Sequence, residues 1–176
     1  LEPLKGLEIE LITYPGEMGE ESAQVAGFEP RVIGTIKQGH TSAEDTEQAA
    51  REMAALGVDL ILFAGGDGTA RNICHAIGDS TPVLGIPAGV KIHSGVYAVT
   101  PKAAGEVVAM LVRGELVTLA DQEVRDIDEV AFREGRVRAK YYGELLVPEE
   151  GRYLQHVKNG GRELEELVLD DIAADF

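Results

Sequence analysis

Residues 60–69, Leu-Ile-Leu-Phe-Ala-Gly-Gly-Asp-Gly-Thr, constrain this chain more than any other stretch. Leu60 to Ala64 are apolar without alternation, the pattern of a strand covered on both faces, as in a parallel sheet. Three glycines follow within four positions, interrupted by Asp67 and closed by Thr69. Thr69 then opens a helical pattern over Ala70 to Ile77. A glycine-rich turn between a buried strand and a helix leaves backbone N–H groups unpaired and lets a ligand approach closely. Phosphate is the usual occupant of such a nest. A bare strand-to-helix turn is the competing reading, and the position of the motif favours phosphate over it.

Strand and helix alternate around this stretch. Leu7 to Thr13 reads as a first strand, with Leu7, Ile9 and Leu11 on one face, broken by Tyr14 to Gly19. Glu20 to Ala26 reads as a short helix stopped by Gly27, and Arg31 to Ile33 as a second strand. Thr41-x-x-Glu44 is expected to be the capping box of the next helix, with Gly57 at its far end. Ala49, Ala50, Met53 and Ala54 give that helix a small-residue stripe for close packing on a sheet. Pro82 to Ile86 is a further buried strand, 88–94 a loop and Val96 to Val99 a short element. Thr100-Pro101 starts a helix that Gly114 stops. From Leu116 the rhythm changes: Val117 and Leu119, then Val137, Ala139, Tyr141, Leu145 and Val147, alternate with polar residues, an antiparallel habit. Glu163 to Phe176 closes as an amphipathic helix with Leu164, Leu167, Val168 and Ile172 on one side. The expected fold class is α/β. A three-layer parallel-sheet nucleotide-binding domain is expected over 1–114, followed by part of a β-rich second domain over 115–176.

Charge narrows the partners. Sixteen Lys and Arg against 31 Asp and Glu give a net charge of −15, which argues against a nucleic-acid or acidic-membrane partner. An anionic nucleotide is still compatible, because a few local cations and a divalent metal reverse the field inside one cleft. Cys74 is the single cysteine, so no intrachain disulfide forms. With no signal peptide and no apolar run of membrane-spanning length, a cytoplasmic location is expected. The chain begins at Leu1 rather than methionine, as a piece of something longer would. His40, His75, His93 and His156 lack metal-ligand spacing.

Gly65-Gly66-Asp67-Gly68-Thr69 after a hydrophobic strand resembles the signature shared by NAD kinases and the diacylglycerol and sphingoid-lipid kinases. The wider match adds Tyr14 to Gly19, Thr41 to Thr46, and Gly85-Ile86-Pro87-Ala88-Gly89-Val90-Lys91. It is similar to the NAD-kinase-like branch that includes the acetoin-catabolism accessory proteins. The resemblance implies an ATP-dependent kinase using Mg²⁺, with NAD as the favoured acceptor through its 2′-hydroxyl, and a homo-oligomer. Two features depart from it. The asparagine–acid pair that holds the nicotinamide nucleotide in NAD kinases has no counterpart, and the loop after Ile86 is closer to the Pro-x-Gly loop of the lipid kinases.

The candidate residues sit where ligands bind in open parallel sheets, outside the carboxyl ends of the strands. Three loops qualify: 14–19, 65–69 and 87–94. Gly65, Gly66, Gly68 and the Thr69 N–H are expected to cradle the phosphates, joined by Gly89. Lys91 supplies a cation, with Arg71 a weaker choice. Asp67 repels phosphate; it suits an acid that takes a proton from an attacking hydroxyl or orders water around Mg²⁺. By resemblance it is the base. A helix-capping aspartate is the other reading. Glu17 is a candidate for a ribose hydroxyl or a metal, against a plain turn residue. His93, alone in its loop, reads as a hydrogen-bonded structural residue ahead of a catalyst. Two further functions stay open: a non-catalytic NAD(H)- or ATP-binding accessory protein, and a kinase for a lipid base or small metabolite. An assembly component with empty nests is the third.

Overall fold

The computed structural model describes residues 1–89, 91–115 and 118–150. The elements run β1 (Ile12–Thr13), α1 (Glu20–Val25), β2 (Arg31–Val32), α2 (Ala43–Ala55), β3 (Ile61–Gly65) and α3 (Asp67–Ile77). They continue through β4 (Val83–Pro87), α4 (Pro101–Val112), β5 (Thr118–Ile127), α5 (Glu129–Arg133) and β6 (Ala139–Glu149). β1 pairs with β2 and β3 with β4, both in parallel. β5 and β6 form an antiparallel hairpin with a register shift between Val124 and Arg125. The α/β class and the change of habit after Gly114 are therefore as expected.

β3 and β4 are in register from Ile61 opposite Val83 to Gly65 opposite Pro87. The other edge of β4 is taken by the segment around Tyr97. Gly85 donates to the Val96 carbonyl at 2.8 Å, and the Ala98 amide donates to Gly85 at 3.0 Å. The Gly95 amide reaches the Glu123 carbonyl at 2.9 Å, which ties the same segment to β5. One apolar cluster joins these parts: Phe63, Val83 and Leu84 of the strands, Ile73 of α3, Val107 of α4, and Val124, Leu145 and Val147 of the hairpin. The Phe63 and Tyr97 rings meet edge to face, with centroids 5.4 Å apart and planes at 66°, a favoured aromatic geometry.

Local structure departs from the sequence reading at four places. The first strand is only Ile12–Thr13, paired with a β2 of equal length whose flanking amides, Arg31 and Ile33, donate to the Leu11 and Thr13 carbonyls. The capping box of α2 lies one residue later than expected: Ser42 accepts from the Asp45 amide, and the Asp45 carboxylate accepts from the Ser42 amide at 2.8 Å. Aspartate is the shorter acid and closes the same reciprocal pair from a serine cap. Helix α3 starts at Asp67, three residues before the expected Ala70. Helix α5 was not anticipated; Asp128 caps it by accepting from the Val130 and Ala131 amides. The amphipathic stretch from Glu163 and the residue Val117 lie outside the described residues.

Candidate functional site

Gly66 alone makes the turn from β3 into α3. It is the N-cap, with extended backbone, and its carbonyl accepts from the Thr69 and Ala70 amides at 3.0 and 3.2 Å. The Thr69 N–H is thus engaged inside the helix. Asp67, Gly68 and Thr69 are the first three helical residues, and the leading amides of a helix that precede its first hydrogen-bonded donor lack an intrahelical partner. Those are the amides of Asp67 and Gly68. The Thr69 side chain instead occupies the space a Gly65 side chain would need. That contact packs the strand end against the first helical turn.

Asp67 is the buried centre of the site, with its side chain 8 % exposed. Its Oδ2 accepts from the His93 amide at 2.8 Å and faces His93 Nδ1 at 3.0 Å; its Oδ1 accepts from the Ser94 amide at 3.0 Å. A carboxylate in the first turn is also favoured by the helix dipole. Ser94, itself buried, bridges to β5: its Oγ donates to the Arg125 carbonyl at 2.8 Å and accepts from the Arg125 amide at 2.9 Å. The Tyr97 hydroxyl donates to the Gly66 carbonyl. Burial foremost, and then the nearby charges of Asp67 and Asp126, push the Tyr97 phenol well above its ordinary range.

The rim of the site carries opposed charges. Asp126 Oδ2 lies 3.9 Å from where a Gly68 side chain would begin, and it pairs with Arg71 at 2.9 Å. Arg71 also lies over the Tyr142 ring, 5.3 Å from its centroid. Arg125 pairs with Glu123 at 2.7 Å. Lys91 is exposed and, among the described residues, has no ion-pair partner. Its φ of 54° places it in the left-handed region, uncommon for a residue with a side chain. Beside the site, a cleft of about 360 Å³ is lined by Glu47, Arg71, Asn72, His75 and Tyr142. The His75 ring holds the Glu47 carboxyl below the ordinary carboxylate range.

Two of the three expected loops come together. The Ala88 amide reaches the Gly65 carbonyl at 3.0 Å, and a Gly89 side chain would begin 3.9 Å from Gly66 Cα. The loop 87–94 therefore folds over Gly65-Gly66-Asp67. Glu17 is exposed in a 3-10 turn, Gly16–Met18, and no hydrogen bond or ion pair among the described residues ties it to this cluster. Tyr97 and Asp126 were not anticipated as parts of the site, and Ser94 was expected only as a member of the loop 87–94, with no role. Their spacing from Asp67 carries no periodic signal, and only the pairing of 94–98 with β4 and β5 brings them in. No group of three or more His, Cys, Asp or Glu among the described residues is arranged to hold a metal ion. No helix among them is long and apolar enough to cross a membrane.

A parallel βα unit with a glycine turn, a carboxylate in the first helical turn and a second glycine loop folded over both defines an α/β nucleotide-binding type of protein. The ATP-NAD kinase N-terminal domain matches residues 4–116. The chain belongs to the NAD kinase-like family. Comparison with curated proteins and with solved structures finds no match. Family membership implies the use of ATP and NAD.

Proposed function

We propose that this protein transfers the γ-phosphoryl group of Mg-ATP to a hydroxyl, with the 2′-hydroxyl of NAD as the favoured acceptor. The observation that carries this is the fixed carboxylate of Asp67, set by three hydrogen bonds at the start of α3 and beneath the loop 87–94. Phosphoryl transfer asks mainly for positioning and charge compensation, with one group to receive the acceptor's proton. Gly66, Gly68 and Gly89 leave room for phosphate to approach the chain closely, Gly65 contributes its backbone at the strand end, and the amides of Asp67 and Gly68 lie in the first helical turn. Lys91 is the cation offered to the phosphates. Mg²⁺ enters with the triphosphate as part of the substrate. Residues 1–114 form the nucleotide-binding domain in this reading, and the β-rich unit from 115 contributes Asp126 and Arg125 to its rim. Glu17 remains outside the core of the site and is assigned no more than the outer end of the nucleotide. A cytoplasmic homo-oligomer, acting on free nucleotide, completes the proposal.

The experiment is direct. The chain is incubated with Mg-ATP and NAD, and NADP formation is followed by a coupled dehydrogenase. Time-dependent NADP that requires both substrates is the expected result. Tight nucleotide binding by calorimetry without product from NAD, a sphingoid base or diacylglycerol would replace the kinase with a nucleotide-binding module.

A further inference from the structure

We propose that His93, not the Asp67 carboxylate, is the group that takes the proton from the acceptor hydroxyl, with Asp67 as its positioning partner. The inference rests on the kinase reading above and concerns its proton path. Asp67 is 8 % exposed as a side chain, whereas the His93 side chain is 33 % exposed. Oδ2 already receives the His93 amide and lies 3.0 Å from Nδ1. A proton added there would meet two donors aimed at the same oxygen. Oδ1 is taken by the Ser94 amide, on a residue that is itself buried. A general base has to come within hydrogen-bond reach of the proton it removes, and the more accessible member of this pair is the imidazole.

With Asp67 ionised, the contact between Oδ2 and Nδ1 requires Nδ1 to carry the hydrogen. The second ring nitrogen, Nε2, is then the one with a free lone pair, and it has no hydrogen-bond partner among the described residues. This is the arrangement in which a buried carboxylate fixes a histidine tautomer and stabilises the imidazolium that forms. The other charged or titratable groups around the pair are Lys91 two residues earlier in the loop, Tyr97 and Asp126, whose charge is matched by Arg71. Arg125 meets the pair only through its backbone and Ser94, its guanidinium being held by Glu123.

The step balances. The acceptor O–H bond breaks and its proton moves to Nε2, while an oxygen lone pair forms the new bond to the γ-phosphorus. The bond from that phosphorus to the bridging oxygen breaks, and ADP leaves with the electron pair. The imidazolium stays paired with ionised Asp67 until water takes the proton.

The test uses His93→Asn in the full chain. Its amide nitrogen replaces Nδ1 as donor to Asp67 but nothing replaces Nε2. With Mg-ATP and NAD, kcat is expected to fall about 100-fold or more, KM for ATP to change by less than about threefold, and the acid limb of the kcat–pH profile to disappear. Added imidazole is expected to restore part of the rate to His93→Ala. A His93→Asn enzyme that keeps kcat and the acid limb overturns the role of His93 while leaving the kinase reading intact. A wild-type protein that forms no phosphorylated product from NAD, a sphingoid base or diacylglycerol overturns both. Nitrogen-15 NMR of the wild-type chain needs no variant: an Nδ1-protonated ring is expected, and an Nε2-protonated ring at neutral pH overturns the proposal whatever the turnover.

Discussion

The hydroxyl of Tyr97 and the carbonyl of Gly66 are hydrogen-bonded, so the residue that turns β3 into α3 is held from the far side of β4. Tyr97 is fully buried, and its ring fills the space above Gly85 that any side chain there would claim. The position of Asp67 thus depends on a residue thirty places along the chain.

Gly85→Ala is expected to be among the most damaging small substitutions. A Cβ at 85 would run into the Tyr97 ring, which is packed edge to face against Phe63 and has no room to move. Overpacking of this kind costs about 1–3 kcal/mol. Urea unfolding should show the free energy of unfolding falling by that amount, as a lower midpoint with an unchanged m-value, and calorimetry should show weakened ATP binding through the displaced Gly66.

Tyr97→Phe removes the bond to Gly66, whose carbonyl keeps the Thr69 and Ala70 amides, a loss of about 0.5–1.5 kcal/mol at neutral pH. The pH dependence has a definite sign. The Tyr97 phenol is raised above its ordinary value of 10.0 in the folded protein, so its contribution is complete below pH 10 and is lost as the pH rises beyond it. Each such tyrosine adds a slope of about 1.4 kcal/mol per pH unit. Tyr14, buried and beside Glu52, is raised in the same direction. Denaturant titrations between pH 9 and 11 should therefore show alkaline destabilisation that is shallower in Tyr97→Phe than in the wild type.

Ser94→Ala should destabilise by about 2–3 kcal/mol, because both the Arg125 amide and carbonyl lose their buried partner. The Ser94 amide, which serves Asp67, is retained. A fall in Tm much larger than the fall in ATP affinity is the expected pattern in parallel melting and binding measurements.

Asp67→Asn should keep nucleotide binding within a few-fold and reduce phosphoryl transfer by about 10²–10⁴. An amide cannot accept from all three donors at once, and it cannot stabilise an imidazolium at His93. Calorimetry with Mg-ATP and the NADP assay, run on the same preparation, check the two halves separately. Normal turnover would remove Asp67 from the chemistry.

Arg71→Gln leaves Asp126 uncompensated next to Gly68. ATP affinity is expected to fall about 5–10-fold at low salt and less at high salt. The double variant Arg71→Gln with Asp126→Asn should recover most of the loss, since the uncompensated charge is gone.

What was legible in the sequence was whatever short-range chemistry writes. Unbroken apolar residues from Leu60 announced β3, a Thr-Pro pair announced the α4 start, where Thr100 accepts from the Ala103 amide at 3.0 Å, and Gly57 and Gly114 marked helix ends with positive φ. The start of α3 was misplaced by three residues because glycines at 66 and 68 weaken any helical pattern, while the helix is held there by burial and the Gly66 carbonyl. The capping box was misplaced by one because Thr41-x-x-Glu44 and Ser42-x-x-Asp45 are overlapping patterns of similar quality. Only the surrounding fold chooses between them.

The sequence by itself determined the α/β alternation, the glycine turn with its acid, and the kinship those residues express, since each depends on neighbours a few positions apart. The tertiary structure alone decided what touches Asp67. His93, Ser94, Tyr97 and Asp126 reach the helix start because the 94–98 segment takes the free edge of β4 and bonds to β5. Pairing between strands far apart in the chain leaves no periodic trace, because it is fixed by which backbone edges remain open when the core closes.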